Sequence, residues 1–190
     1  MNIISEYINN DVKPLNSIQT MNEAHDLFMD FTYTHFPILE NNIYIGCLNR
    51  EDAETLNPGV KIESNKVNLE RFFAKNTMSW LDVQELFARN QTNIMPVLDE
   101  KNNYIGYFEM EEFIRIFNET PFLKEEGGII VVKKKQDDFS MSQITQIVES
   151  NNAKLLGLFI SKIENNEIEI TLKISLGGLN DIIQTFRRFD

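Results

Sequence analysis

The sequence predicts a mixed α/β protein in which one β-α-β-β-α unit occurs twice and a third unit of the same order follows. Three observations lead to this prediction: a repeat with an offset of 59 residues, helical periodicity in each copy, and short apolar strands separated by polar turns. The 190 residues are 42% hydrophobic, which suffices for a packed core. We expect the two copies to pack together, because a unit of about 60 residues is marginal alone.

The repeat begins with two helical segments, residues 21–31 and 80–90, that carry apolar residues at matching positions of the helical period. At the same offset, the apolar strand that contains Pro37 corresponds to the strand that contains Pro96. Proline is tolerated early in a strand, where its missing amide donor does little harm. So many features in one order indicate a true repeat.

The second strand of each copy carries the triplet Tyr-Ile-Gly, which ends at Gly46 and, after one inserted residue, at Gly106. A glycine there indicates a bend or the close approach of another segment. Thr20 and Ser79 precede the repeated helices and are expected to be N-caps. Each copy then ends in a short helix, predicted at residues 50–56 and 110–117.

The charge balance excludes nucleic acid as the main partner, because 29 acidic residues outnumber 18 basic ones and the formal charge is −11. We expect no membrane partner, since no apolar run approaches the about 20 residues of a spanning helix. The N-terminus lacks the pattern of a signal peptide. The one cysteine, Cys47, cannot form an internal disulfide, which fits a cytoplasmic protein.

The sequence predicts neither a catalytic site nor a metal site. The two histidines, His25 and His35, have no second ligand at metal-binding spacing. No phosphate-binding loop, dinucleotide fingerprint or serine elbow occurs. Cys47 is interpreted as a small residue that fills a strand end, because that role is commoner than a nucleophile. We therefore expect a regulatory protein and not an enzyme.

A different unit begins near Glu126, where Gly127 and Gly128 interrupt the chain. Ser140 is expected to cap a helix, and Asn165 with Asn166 to form the turn of a hairpin. The predicted elements are a strand at 129–135, a helix at 140–150, strands at 155–163 and 167–174, and a helix at 179–189.

Residues 1–122 resemble a tandem pair of CBS domains, the arrangement called a Bateman module. The resemblance is carried by the repeat period, a helix ahead of an x-Pro-Val/Ile strand, and a hairpin ending in Gly-x-x-Thr-x-x-Asp. The two motifs read Gly-Cys-Leu-Asn-Arg-Glu-Asp from Gly46 and Gly-Tyr-Phe-Glu-Met-Glu-Glu from Gly106. The resemblance implies CBS-type repeats at residues 1–62 and 63–124, packed as a pair.

In that family the clefts between the repeats bind adenosine-containing ligands. The resemblance therefore implies AMP, ADP, ATP or S-adenosylmethionine as a regulatory ligand, with no other cofactor. It assigns to Asp52 the carboxylate that accepts hydrogen bonds from the ribose hydroxyls. Asn49 stands where the family has a hydroxyl donor. The alternative for Asp52 is that its charge stabilises the helix dipole. In the second motif, Glu112 replaces the aspartate and Glu109 places a negative charge where a phosphate requires a donor. The other residues expected at the site are Phe36, Pro37, Pro14 and Met95.

The third unit, residues 125–190, resembles an ACT domain, a ferredoxin-like β-α-β-β-α-β fold, without its last strand. Either the sequence is cut short or another chain completes the sheet. The loop at residues 136–140 lacks the glycine that such domains often use near an amino-acid ligand, so dimerisation is the expected role. The whole order is similar to the acetoin-utilisation accessory protein (AcuB-like) family, which implies regulation and not turnover.

Two hypotheses of function follow. The first is a homodimeric sensor that binds an adenine nucleotide at the first motif and changes its assembly or its contact with an unknown protein partner. The second is a ligand-free dimerisation or interaction scaffold with degenerate sites. Asn49, Glu109 and Glu112 favour the second hypothesis, because they depart from the binding pattern.

Overall fold

Two copies of one strand-and-helix arrangement fill the first of two units of the chain. The computed structural model describes residues 4–188, in units of residues 4–115 and 116–188. Residues 1–3 and 189–190 lie outside the described residues. They include the first residues of the segment considered for a signal peptide and residue 189, the last of the predicted final helix.

Each helix and strand of the first copy has a counterpart in the second copy. In chain order they are β1 (Leu15–Asn16), α1 (Met21–Asp30), β2 (His35–Glu40), β3 (Ile43–Asn49), α2 (Arg50–Thr55), β4 (Ala74–Lys75), α3 (Trp80–Arg89), β5 (Ile94–Leu98), β6 (Tyr104–Glu109) and α4 (Met110–Asn118), with 3-10 turns at Ile4–Tyr7 and Ile62–Asn68.

The two sheets have the same topology. β1 runs parallel to β2, and β2 pairs antiparallel with β3; β4, β5 and β6 repeat this pattern. Even the irregularities match, because the register shifts between Ile38 and Leu39 and again between Val97 and Leu98. The predicted repeat is therefore confirmed at the level of strand register.

The predicted N-caps are also confirmed. Thr20 and Ser79 each accept a hydrogen bond from the third residue of the helix, Glu23 or Asp82, whose carboxylate bonds back to the cap. These are complete capping boxes, which satisfy two backbone donors that a helix start leaves open. The backbone amide of the cap donates at 2.8 Å to Glu23 and at 3.4 Å to the shorter Asp82, so the second box is the looser one.

Each copy sends the segment ahead of its first strand to the other copy. Asn9 bridges to Tyr107 of β6, and Glu70 bridges to Cys47 of β3. The close approach explains the repeated glycine: a Cβ on Gly106 would lie 2.5 Å from the Asn9 carbonyl oxygen. A Cβ on Gly46 would lie 2.9 Å from the Leu69 Cβ. We call these two segments, residues 4–12 and 69–72, the crossing segments.

The core of each copy lies between its sheet and its helices. In the first copy, Phe28 of α1 packs edge-on against Phe36 of β2, with ring centroids 4.7 Å apart. In the second copy, Phe113 packs in the same way against Phe87 and Phe108. Aromatic pairs at these distances add to the free energy gained by burying their area.

The second unit has the predicted order of elements. They are α5 (Pro121–Lys124), β7 (Gly127–Lys135), α6 (Met141–Ser150), β8 (Leu155–Glu164), β9 (Glu167–Ser175) and α7 (Leu179–Arg188), with a 3-10 turn at Gln136–Asp138.

Its three strands form one antiparallel sheet in the order β7-β9-β8. Both asparagines of the β8–β9 turn, Asn165 and Asn166, are left-handed, with φ of 52° and 62°, as a two-residue hairpin requires. One face of the sheet packs against α6 and α7 through a buried core that includes Ile144, Ile170 and Phe186.

The division between the units falls after Arg115, earlier than the predicted boundary at residue 124. The reason is α5, whose Phe122 packs against Gly157 and lies 5.5 Å from Phe159, centroid to centroid, in β8. Sequence periodicity assigns this short helix to neither neighbour, and its aromatic contact assigns it to the second unit.

Candidate functional site

The first motif lies beside a cleft of about 470 Å³ in the first unit, which we call the first cleft. The first copy supplies Thr34, His35 and residues 49–51 at the junction of β3 and α2. The crossing segment of the second copy supplies Glu70, and the end of α3 supplies residues 89–91. The cleft therefore exists only because the two copies are packed together.

Asn49 stands at the centre of this lining and is already engaged by the protein. It is the N-cap of α2, where its side-chain oxygen accepts a hydrogen bond from the Asp52 amide at 2.7 Å. Its side-chain nitrogen donates to Glu70 Oε1 at 3.0 Å. Both ends of the amide are thus held, so Asn49 is a rigid part of the lining.

His35 is buried beside the cleft, between Thr34 and Glu70. Its Nε2 lies 3.3 Å from Glu70 Oε1, and its Nδ1 lies 2.9 Å from the Thr34 hydroxyl. Burial lowers the pKa of His35 below its ordinary 6.5, and the charge of Glu70 opposes this only in part. At neutral pH the imidazole is therefore neutral and serves as a hydrogen-bonding group.

Three carboxylates gather around the start of α2. Burial raises the pKa of Asp52, and the negative charges of Glu51 and Glu70 raise it further. Such an acidic cluster can accept hydrogen bonds from hydroxyl groups, as a ribose presents them, and it repels phosphate.

Two arginines also line the cleft, and they differ in how firmly the protein holds their side chains. Arg50 donates to the carbonyl oxygens of Phe31 and Tyr33 at 2.6 and 3.0 Å and lies over the ring of Phe28. Arg89 is mostly exposed at the end of α3, where it pairs with Glu85 one turn earlier. Because an exposed ion pair contributes little, Arg89 can exchange that partner for an anionic ligand at small cost.

The residues predicted for the site are only partly brought together. Asn49 lines the first cleft. Asp52, in the first turn of α2, is not among the residues that line it, whereas its neighbour Glu51 is. Glu112 lies on α4, where it pairs with Arg115 at 2.8 Å. Pro14 is partly buried just before β1 and does not line the first cleft.

The remaining predicted residues require a correction. Phe36 is only 1% exposed, and Pro37 and Met95 are buried as well. The side chain of Phe36 packs against Phe28 and Phe31 in the core of the first copy. None of the three lines the first cleft, because β2 and β5 are buried in the core where these residues lie.

In the second motif, Glu109 is hydrogen-bonded to side chains of the protein itself. Glu109 Oε1 accepts hydrogen bonds from the Tyr33 hydroxyl at 2.8 Å and from the Asn9 side chain at 3.1 Å. The Tyr107 hydroxyl lies 3.3 Å from that of Tyr33. Burial raises the pKa of both tyrosines, which keeps them neutral donors. We call Asn9, Tyr33, Tyr107 and Glu109 the tyrosine–glutamate network.

Sequence reasoning missed the residues that come from elsewhere in the chain. Glu70 reaches the cleft through a crossing segment, and residues 89–91 reach it from the end of α3. Nothing in the local sequence marks them. The one available signal was the repeat itself, since two units in contact must share a boundary.

Cys47 is fully buried at the end of β3, where burial raises the pKa of its thiol to about 12. A thiol with this pKa is not a nucleophile near neutral pH. Among the described residues, no group of three His, Cys, Asp or Glu side chains could hold a metal ion. No helix in the described part of the chain is long and apolar enough to cross a membrane.

Comparison with known proteins identifies the fold of the repeats. No protein-family model matches the chain. An uncharacterized protein of Methanocaldococcus jannaschii is 25% identical over 114 residues, which are 59% of this chain and 43% of that protein. The match thus spans less than half of the relative.

Solved structures are more informative. A CBS domain pair/ACT domain protein from Thermotoga maritima is similar over 61% of this chain and 96% of its own, with a TM-score of 0.55 and 20% identity. The chain contains the fold of a CBS domain pair. The cystathionine beta-synthase pair domain of a putative Mg²⁺ transporter from Shewanella oneidensis MR-1 gives a TM-score of 0.56 at 20% identity, over 63% of this chain and 71% of its own.

A third CBS structure was determined with a nucleotide. CBSX2 in complex with AMP is similar over 60% of this chain and 95% of its own, with a TM-score of 0.51 and 13% identity. The predicted CBS-pair fold is therefore confirmed, and the two copies of the first unit supply it.

Proposed function

We propose that this protein is a non-catalytic, cytoplasmic regulator that binds an adenosine-containing ligand in the first cleft and acts as a homodimer. The observation that carries the proposal is the difference between the motifs of the CBS pair. The first borders a cleft of about 470 Å³, whereas Glu109 of the second is hydrogen-bonded to Tyr33 and Asn9 of the protein itself. The AMP complex of a protein with the same fold supports the choice of ligand.

The chemistry of the lining suits a nucleoside better than a long polyphosphate. Glu70 lines the cleft and Asp52 lies beside it in the first turn of α2, so both carboxylates can accept hydrogen bonds from ribose hydroxyls. Arg89 can pair with one phosphate. The acidic cluster and the chain's charge of −11 both oppose additional negative charge. We therefore expect AMP or S-adenosylmethionine to bind more tightly than ATP.

Isothermal titration calorimetry with AMP, ADP, ATP and S-adenosylmethionine tests the proposal on the full chain. We expect one site per chain, since Glu109 of the second motif is negatively charged and already hydrogen-bonded to Tyr33 and Asn9. Asp52→Asn is expected to weaken binding at least about tenfold, because it removes a charge-assisted hydrogen bond worth about 1.5–3 kcal/mol.

Glu112→Gln is the matched control, because it makes the same change at the equivalent position of the second motif. It should bind as the wild type does. The ligand should also raise the melting temperature of the wild type and of Glu112→Gln more than that of Asp52→Asn. Absence of binding by all four ligands at millimolar concentration would contradict the proposal.

A ligand-free scaffold is the second candidate. It is favoured by Asn49, whose amide is already bonded to Asp52 and Glu70, and by Glu109, whose carboxylate is already bonded to Tyr33 and Asn9. The two candidates differ in the thermal shift, since a scaffold shows none with any nucleotide. The ACT-like identity of the second unit also remains a proposal, supported by its β-α-β-β-α order and its antiparallel sheet.

A further inference from the structure

The first unit holds another cavity, of about 390 Å³, which shares no lining residue with the first cleft. Its walls come from the start of β3, from the chain just ahead of β4, and from the end of β5 with the turn that follows. Glu70 lines the first cleft, whereas its neighbour Arg71 lines this cavity. The volume lies in the range of small-molecule sites. We call it the second cavity.

Apolar side chains form most of the second cavity. Ile43 is 65% exposed and Phe73 is 38% exposed, and both line it. The ring of Phe73 meets that of Tyr44 edge-on, with centroids 6.3 Å apart. The Tyr44 hydroxyl donates to the Phe72 carbonyl oxygen at 2.6 Å, so its polar group is already satisfied. A hydrocarbon body that covered these side chains would remove apolar area from water.

The polar groups of the second cavity are donors. Arg71 is exposed and has no hydrogen bond or ion pair within residues 4–188. The side-chain oxygen of Asn102 accepts from Lys75, whereas its nitrogen has no acceptor in the described part of the chain. A guanidinium with unused donors matches the geometry of a carboxylate.

The charge of the second cavity is opposite to that of the chain as a whole. No aspartate or glutamate lines it, although the chain has 29 acidic and 18 basic residues. Beside it, Lys75 Nζ donates to the Asp99 carbonyl oxygen at 2.6 Å and lies 5.5 Å from the centroid of the Phe73 ring. The cavity therefore favours an anion, and the formal charge of −11 favours one with a single negative charge.

We propose that the second cavity binds a small apolar monocarboxylate. The carboxylate accepts hydrogen bonds from Arg71 and Asn102, and the hydrocarbon body lies against Phe73, Tyr44 and Ile43. This site is separate from the first cleft, and the inference does not rest on the binding of a nucleotide.

A ligand series on the wild-type full chain tests both halves of the proposal. Phenylacetate combines the ring and the charge, phenylacetamide retains the ring without the charge, and acetate retains the charge without the ring. We expect phenylacetate to shift the NMR amide signals of Arg71, Phe73 and Asn102. Each analogue should bind at least about tenfold more weakly, because it loses either the charge-assisted hydrogen bonds or the apolar contact.

Arg71→Gln tests the role of the guanidinium, and Lys101→Gln is its matched control. Lys101 is exposed next to Asn102 but does not line the second cavity, so both variants remove one positive charge from the same region. We expect Arg71→Gln to raise the dissociation constant of phenylacetate at least about tenfold, and Lys101→Gln to change it by no more than about twofold. Because Arg71 is exposed, both variants should melt as the wild type does.

Three results would overturn the proposal: no binding of phenylacetate at up to about 10 mM, equal affinity for either analogue, or equal weakening by the two variants. Sedimentation of Ile43→Ser adds a fourth, because a wild-type dimer that this change dissociates would assign the cavity to an interface between copies.

Calorimetry with AMP keeps this proposal separate from the proposed function. Arg71→Gln should bind AMP as the wild type does. A wild type that binds phenylacetate and no nucleotide would contradict the proposed function and leave the second cavity supported.

Discussion

At the scale of single residues, His35 links the first cleft to the stability of the fold. Its imidazole is buried between Thr34 and Glu70, and burial lowers its pKa below 6.5. Above that value the histidine is neutral in both the folded and the unfolded chain. Below it the unfolded chain takes up a proton that the folded chain does not, so stability is lost as the pH falls.

We therefore expect His35→Gln to reduce the loss of unfolding free energy between about pH 7.5 and about pH 5.5, because glutamine does not titrate. Urea denaturation of the wild type and the variant at several pH values measures this difference. His25→Gln is the matched control, since the side chain of His25 on α1 is 42% exposed and that of His35 only 7%. A His25→Gln curve as flat as that of His35→Gln would contradict the assignment.

Residue identity alone could predict which groups surround the first motif only in part. Asn49 lines the first cleft, at a position that follows from the Gly46 motif within one hairpin. Phe36, Pro37 and Met95 lie in the core instead, because an apolar residue beside a motif can face a ligand or the core with the same periodicity. The choice depends on what covers the other side of the strand, which is distant in sequence.

At the scale of elements, the two capping boxes show how similar sequences produce equivalent helix starts. Thr20 with Glu23 and Ser79 with Asp82 satisfy the same two backbone groups in each copy. These local features were predictable, because a cap depends on neighbours within three residues.

We expect Thr20→Ala and Ser79→Ala each to lower the unfolding free energy by about 1 kcal/mol, the usual cost of losing an N-cap. Chemical denaturation measures both, and their similarity tests the equivalence of the copies. Thr55→Ala is the control, because it removes an exposed hydroxyl within α2 that donates to the Glu51 carbonyl. It should change the unfolding free energy by less than about 0.5 kcal/mol. Equal losses in all three variants would argue against a specific capping effect.

The second unit was predictable in element order for a related reason. Its hairpin turns at Asn165 and Asn166, which adopt the left-handed conformation at little cost. The short helix α5 was not predicted, because four residues carry no periodicity. Its place depends on the contact between Phe122 and β8.

At the scale of the whole molecule, the packing of the CBS pair depends on the crossing segments. Gly46 and Gly106 admit them, and Gly106 also has a φ of +139°, which side chains disfavour. Sequence repetition predicted that the copies pack together. It could not predict that each copy lends a segment to the other, because the exchange leaves the pattern within each copy unchanged.

We expect Gly106→Ala to lower the unfolding free energy by about 1–3 kcal/mol, since the new Cβ meets the Asn9 carbonyl in a strained backbone. Gly59→Ala is the control, because its Cβ would have no atom closer than 3.6 Å. Thermal or urea unfolding distinguishes the two. A loss for Gly59→Ala as large as that for Gly106→Ala would show that the close approach is unimportant.

The exchange of segments between Asn9 and Tyr107, and between Glu70 and Cys47, also bears on how such a chain could arise. An ancestor with one copy would have had no second copy in the same chain against which its crossing segment could pair. The strand that carries the glycine could then pair only with the crossing segment of a second molecule, as in a domain-swapped dimer. Fusion of two genes would then have converted an obligatory dimer into a single polypeptide, free to let one of its two motifs diverge.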